Sequence, residues 1–257
     1  SFKTSPDSSG RSRPTAKEQT FPQHLQNCHA LLPCVLSRLF NLMVTASHIP
    51  DAFCKSYTVP LLKGNCSTYC KTVSANDFRG ISISPVLSKV FEQCILQRYC
   101  DFLTSSDNQF GFKKKSGCVH AIYALKCTAD YYVSRNSTVN LCALDLSKAF
   151  DKMNHHALFL KLMKNHIPVS LLRLLEIWFE SSSTCVKWGN CFSDFFKLTC
   201  GIRQGGVLSP HLFAVYIDSV IEKIRASEFG CVINWAKVGI LVYADDILLL
   251  APSVHSL

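Results

Sequence analysis

Apolar residues recur at helical spacing between Leu25 and Val44, where Leu31, Leu32, Val35, Leu36, Leu39, Phe40 and Met43 share one face. Ile49-Pro50 closes this helix, because proline disfavours helical backbone in the residue before it. Tyr57 to Leu62 predicts a short strand that runs into a Gly64-Asn65 turn. A second helix opens near Pro85, a residue suited to a first helical turn, and continues through Leu87, Val90, Phe91, Ile95 and Leu96. Thr104 to Gly117 is polar and contains Lys113-Lys114-Lys115, and Val119 to Tyr132 returns to helix. Val139 to Leu146 is apolar enough for a buried strand, interrupted only by Asn140 and Asp145. Helical stretches over 155–164 and 169–180 precede a hairpin from Thr184 to Leu198, and Pro210 opens a helix to about Ile224. Two aliphatic runs, Val238 to Val242 and Ile247 to Ala251, form a closing strand pair. Strands and helices alternate without a regular strand-helix-strand rhythm, which predicts an α+β fold.

Composition narrows this picture. A length of 257 residues suits one large or two small domains of roughly 150 residues each. With 48% hydrophobic and 18% charged residues, the chain can bury a core. Only the first 20 or so residues, rich in Ser, Pro, Lys and Arg, read as lacking fixed structure. The net charge of +9 suits a polyanionic partner, nucleic acid above all. Fourteen cysteines form no CxxC and no zinc-finger spacing with the nine histidines, and Cys66-xxx-Cys70 and Cys118-x-His120 are the nearest approaches. Cysteines inside apolar runs, such as Cys142, behave as small hydrophobes in a reducing compartment. That predicts an intracellular protein of the cytoplasm or nucleus, not a secreted one. No run of about 20 apolar residues is present, so no membrane span is expected.

The chemistry concentrates between the last two strands. Asp245 and Asp246 sit in Tyr243-Ala244-Asp245-Asp246, and charged carboxylates flanked by buried strands need a partner or a metal. A hard cation such as Mg²⁺ takes one or two carboxylates plus substrate phosphates, so phosphoryl transfer is the first hypothesis. Asp145 ends another apolar strand. Alone it reads equally well as a helix cap, but with the Asp pair it makes a clamp for two metal ions conceivable. Gly201 to Pro210 is a glycine-rich turn before a proline-started helix, and Gln204 there can offer hydrogen bonds to a base or sugar.

Taken in order, three segments resemble the palm motifs of reverse transcriptases, in the form found in non-LTR (LINE-type) retrotransposons. They are Ala143-Leu144-Asp145-Leu146-Ser147-Lys148-Ala149-Phe150-Asp151, Arg203-Gln204-Gly205-Gly206-Val207-Leu208-Ser209-Pro210 and Tyr243-Ala244-Asp245-Asp246. Two upstream stretches resemble the family's fingers motifs: Asn76 to Glu92, and Asn108-Gln109-Phe110-Gly111-Phe112-Lys113. The likeness covers roughly residues 50 to 257. It implies a right-hand polymerase fold with an antiparallel palm sheet. Residues 1–58 would be an N-terminal extension, 59–138 the fingers and 139–257 the palm, ending after the Asp-Asp hairpin without a thumb.

The resemblance also implies roles. Asp145, Asp245 and Asp246 would be catalytic and hold two Mg²⁺ ions, for which Mn²⁺ can substitute, with the Leu146 carbonyl a further ligand. Phe150 matches the aromatic position that excludes a ribose 2′-hydroxyl, although a core aromatic reads the same way. Gln204 and Gly205 would line the incoming nucleotide, Tyr243 would lie near the primer end, and Asp151 would make structural hydrogen bonds. Arg79, Lys89 and Lys113 are candidates for triphosphate or template backbone, with a solvated basic face as the competing reading. The implied partners are an RNA template, a DNA primer and deoxynucleoside triphosphates.

The chain departs from the family in places. Arg79-Gly80-Ile81 stands where Arg-Pro-Ile is usual, and Cys118 and His120 replace small or acidic residues. The chain ends at Leu257, eleven residues after Asp246. An inactive or co-opted remnant that at most binds nucleic acid is therefore the alternative. An RNA-dependent RNA polymerase fits less well, because Ala244 stands where such enzymes carry glycine and Phe150 is bulky.

Overall fold

The computed structural model describes residues 25, 27–63 and 73–257. The Ser/Pro-rich start, the Gly64-Asn65 turn, Cys66 and Cys70 lie outside the described residues. The chain divides into two compact units, Ser1–Leu42 and Met43–Leu257. Helix α1 spans Leu32–Ala46. It begins later than the apolar periodicity predicts, because Pro33 is accommodated only in a first helical turn.

The elements of the second unit follow in chain order. They are α2 (Asp51–Cys54), β1 (Lys55–Leu62), β2 (Phe78–Ile83), α3 (Val86–Arg98), α4 (Cys118–Val133), β3 (Asn140–Asp145), α5 (His155–Lys164) and α6 (Val169–Ser181). Then come β4 (Ser183–Trp188), β5 (Cys191–Phe192), β6 (Phe196–Lys197), α7 (Ser209–Ala226), β7 (Val232–Ile233), β8 (Ala236–Lys237), β9 (Ile240–Tyr243) and β10 (Asp246–Ala251). One sheet has the order β2-β1-β4-β5, with β6 also folded back on β4. Its β1–β4 pair is parallel and its other pairs are antiparallel. A second, fully antiparallel sheet has the order β3-β10-β9. The mixture is α+β, as the sequence pattern predicts.

Much of the core is helical and follows from apolar spacing. On α6 the buried residues Leu171, Leu174, Leu175 and Trp178 repeat three or four apart, and on α5 Leu158 and Leu162 form one stripe. Full burial of each such side chain contributes about 1.5–3 kcal/mol. Trp178 stacks on Phe91 of α3 and donates its indole N–H to the Phe53 carbonyl at 3.2 Å. Asn154 starts α5 by accepting the Ala157 N–H, and Pro210 occupies the first turn of α7. Helices α4 and α7 pack on β9, where Val242, like Leu250 of β10, is fully buried.

β3 departs from the expectation of a buried strand. It pairs with β10 alone, at the sheet edge, and its Leu141 and Leu144 are about half exposed. An apolar run identifies a strand but not its place in a sheet. Among the described residues, no helix is long and apolar enough to cross a membrane.

Candidate active site

The register of the second sheet sets the site. Asp246, first residue of β10, pairs with Asp145 at the end of β3 on one side and with Tyr243 at the end of β9 on the other. Directly opposed residues project from the same face, so Asp145, Asp246 and Tyr243 share it. All three are exposed, whereas Val242 and Ile247 beside them are buried. Ala244 and Asp245 form the two-residue turn, and Ala244 holds φ +59°. A non-glycine residue in this left-handed region costs about 1–2 kcal/mol.

Opposed carboxylates on neighbouring strands repel and destabilise a sheet unless a cation neutralises them. Among the described residues, no group of three or more His, Cys, Asp or Glu side chains is gathered to hold a metal. Two carboxylates completed by substrate phosphates are nonetheless the usual way of binding Mg²⁺, and the opposed Asp145 and Asp246 supply such a pair, with Asp245 next to them in the turn.

Asp245 also lines a cleft of about 360 Å³. The cleft brings it together with Arg79, Phe150, Gln204 and Gly205, and adds Lys63 and Lys148. Three chain segments are tied into its walls. The Ser82 N–H donates to the Gln204 carbonyl at 2.7 Å, the Ile202 N–H donates to the Phe150 carbonyl at 2.9 Å, and the Gln204 amide donates to Asp151 at 2.9 Å. Asp151 therefore makes the structural bond expected of it. Gly205 holds φ +121°, and a Cβ there would lie 2.5 Å from the Ser82 carbonyl oxygen, so only glycine fits. Phe150 stacks on buried Phe213 at 4.7 Å and meets Phe112 edge-on at 6.1 Å, while also facing the cleft. Its packing on two aromatic rings fits the core reading, and it lines the cleft as well. Gly80, the departure in the first fingers motif, sits in regular pairing opposite Pro60, and a Cβ there would meet Thr58 at 2.9 Å.

The other two basic candidates lie elsewhere. Lys89 is on α3 and Lys113 is in the loop before α4, and neither lines the cleft. Lys113 donates to the Ser106 carbonyl at 2.6 Å and lies 4.0 Å from Asp107, and desolvation lowers its pKa. Leu146, one residue past β3, is half-buried. Sequence reading missed Lys63 and Lys148, which converge on Asn76, donating to its carbonyl at 2.9 Å and to its side-chain oxygen at 2.8 Å. Lys148 stood within a recognised motif, but Lys63 becomes visible only once β1 is paired with β2.

Behind the glycine-rich loop lie buried Glu92 and half-buried Arg203, each bonded to a different set of groups and close enough for their charges to act on each other. The Glu92 carboxylate accepts the Val207 N–H at 2.6 Å and the Leu208 N–H at 2.9 Å, capping α7, whose own N-cap side chain makes no such bond. The Arg203 guanidinium donates to the Phe53 and Cys54 carbonyls at 3.2 and 2.6 Å and to Ser182 Oγ at 2.9 Å. Burial pushes the Glu92 carboxyl above its ordinary 4.5, although the Leu208 and Val207 donors and the Arg203 charge pull the other way. The folded state then holds its proton more tightly than the unfolded chain. This contribution to stability is full below about pH 4.5 and is lost as pH rises through the raised folded value. Glu92→Gln keeps an acceptor but removes the proton, so its melting temperature should vary less than the parent's from about pH 4.5 upward. Equal pH dependence in thermal unfolding of the two proteins would refute this.

A family model described as reverse transcriptase (RNA-dependent DNA polymerase) matches residues 63–257. The chain is 25% identical over 222 residues to the retrovirus-related Pol polyprotein from type-2 retrotransposable element R2DM of Drosophila melanogaster, spanning 85% of this chain and 20% of that protein. It is 27% identical over 231 residues to the RNA-directed DNA polymerase from mobile element jockey of Drosophila funebris, spanning 87% and 24%. The chain thus spans about a quarter or less of these relatives. Among solved structures, telomerase from Candida tropicalis in complex with a TWJ fragment of telomeric RNA matches with TM-score 0.54 and 14% identity, over 84% of this chain and 40% of that one. A likeness at that identity shows the fold alone.

Proposed function

The chain belongs to the reverse transcriptase family, and from that premise we propose that it is the RNA-directed DNA polymerase core of a non-LTR retrotransposon. One observation carries the reading: Asp245, in the turn next to the opposed Asp145 and Asp246, lines the same cleft as Arg79, Phe150, Gln204 and Gly205. Residues 59–138 then act as fingers and 139–257 as palm, beyond an N-terminal extension at 1–58. The partners are an RNA template, a DNA primer and deoxynucleoside triphosphates.

Asp145 and Asp245 would hold two Mg²⁺ or Mn²⁺ ions, with Asp246 and the Leu146 carbonyl as further ligands. Such ions, when bound, would make a primer 3′-hydroxyl more acidic and offset charge on the departing pyrophosphate. Arg79, Lys63 and Lys148, on the side walls of the cleft, orient the triphosphate and offset its charge. Lys89, outside the cleft lining, is left to contacts with the template backbone, whereas the Lys113 ammonium is taken up within its own loop. Phe150, held by Phe213 and Phe112, bars a 2′-hydroxyl. Tyr243, exposed beside Asp246, faces the primer end. Sequence is read by base pairing, so protein contacts are chiefly to phosphates and weaken as salt rises. A site inside the cell belongs to the same proposal, supported by described cysteines that are all free thiols.

The test is extension of a DNA primer on an RNA template with deoxy- or ribonucleotides. Mg²⁺-dependent extension that prefers deoxynucleotides is expected, and Phe150→Ala should narrow that preference by at least about tenfold, the scale of small steric differences in a pocket. Unchanged discrimination by Phe150→Ala would refute the gate. Absence of extension by the parent chain would favour the remnant reading.

A further inference from the structure

The turn that carries Asp245 is held from outside its own sheet. Asn108, Gln109 and Phe110 run alongside β9 in parallel, with the Val242 N–H donating to the Asn108 carbonyl and the Phe110 N–H donating to the Val242 carbonyl, both at 2.8 Å. The Asn108 amide donates to the Ile240 carbonyl at 2.7 Å. The fully buried Gln109 side chain then reaches the turn. Its Oε1 accepts the Ala244 N–H at 3.1 Å and the Gly111 N–H at 2.8 Å, and its Nε2 donates to the Ala244 carbonyl at 3.3 Å. One carboxamide therefore grips the peptide on each side of Ala244, the second of which leads directly into Asp245. Gly111 closes the other side, since a Cβ there would lie 2.5 Å from the Ala244 nitrogen.

Ala244 occupies a backbone region that alanine seldom adopts. A two-residue turn with alanine there has other conformations open to it, and these would re-aim the Asp245 carboxylate. We propose that Gln109 is a positioning residue that fixes the Asp245 turn in its metal-binding conformation, with Gly111 setting how closely it approaches. Gln109 touches neither substrate nor reacting atoms and acts through the Ala244 peptides. The inference rests on the metal-binding reading of Asp145 and Asp245. Residues that orient metal ligands in this way commonly change affinity or activity by about 10- to 100-fold when replaced.

The experiment titrates Mn²⁺ alone into the 257-residue chain, following the free ion by electron paramagnetic resonance. Gln109→Met, which fills the space without hydrogen bonds, should weaken Mn²⁺ binding by about 10- to 100-fold in protein shown to be folded by circular dichroism. In primer extension kcat should fall by a similar factor, while KM for the deoxynucleotide stays within about threefold. A purely structural loss would instead lower the active fraction and leave the affinity of the folded protein unchanged. Gly111→Ala presses on the same peptide from the other side and should reproduce the effect, and it decides the matter should Gln109→Met not fold. Parent-like Mn²⁺ affinity in either folded variant overturns the clamp. Parent-like affinity in Asp145→Asn and Asp245→Asn overturns the metal reading beneath it, and the two failures are thereby told apart.

Discussion

Asp145→Asn is expected to lower primer extension by about 10³- to 10⁴-fold while leaving the protein as stable as before or slightly more so. On the proposed metal-binding role of Asp145, the loss follows from removing a ligand charge, an effect of several kcal/mol on a barrier at about 1.4 kcal/mol per tenfold. The stability forecast follows from position. Asp145 is exposed at the end of an edge strand, so the isosteric amide costs no packing. It also relieves repulsion with Asp246 directly opposite, a gain of a few tenths of a kcal/mol up to about 1. A residue kept for folding would show the opposite pairing of effects, with activity and stability falling together. Asp246→Asn should share the stability gain, because it is the other half of the opposed pair. Asp245→Asn should share the loss of activity but not the gain, because it lies in the turn and opposes no strand residue. Thermal unfolding in metal-free buffer and single-turnover extension in Mg²⁺ measure the two sides. Extension within tenfold of the parent would remove Asp145 from the reaction.

How much of this site could be read beforehand depends on the range of the interaction involved. The Asp-Asp turn, the proline-started α7 and the α5 and α6 stripes are local, set by spacing within a dozen residues, and they stand where the periodicity put them. The parallel pairing of Lys55–Thr58 with Ser183–Val186 joins strands far apart in the chain, and no local pattern announces it. The β7–β8 hairpin was missed because its strands are two residues long and turn on Asn234-Trp235, both at positive φ, rather than on a glycine. Gln109 stands out in the sequence only as part of a motif, since nothing in its neighbourhood says that its side chain ends on Ala244. The basic candidates divided for the same reason. Arg79 faces the cleft because β2 pairs with β1, whereas Lys113 turns onto Ser106 and Asp107 in its own loop.

Arg203 shows the largest gap between motif and role, and its replacement should cost the most stability. Read as part of the glycine-rich loop, it stands beside residues expected to meet the nucleotide. Its guanidinium instead ties the α2 carbonyls of Phe53 and Cys54 to Ser182 at the start of β4, and its charge offsets that of Glu92 beneath α7. Arg203→Met should destabilise the protein by about 1–3 kcal/mol for each backbone acceptor it strands, and it also removes the charge that offsets buried Glu92. The Glu92 part of that cost depends on ionisation. At acid pH the carboxyl is neutral and needs no cation, so the penalty should shrink as pH falls through the raised Glu92 value. Combining Arg203→Met with Glu92→Gln should likewise recover about 1–3 kcal/mol, the coupling expected of partners in one network. Urea unfolding of the parent, both single variants and the double variant at neutral and acid pH closes the cycle. Strict additivity at neutral pH would mean that the two charges do not interact, and Arg203 would then act through its carbonyl and Ser182 bonds alone.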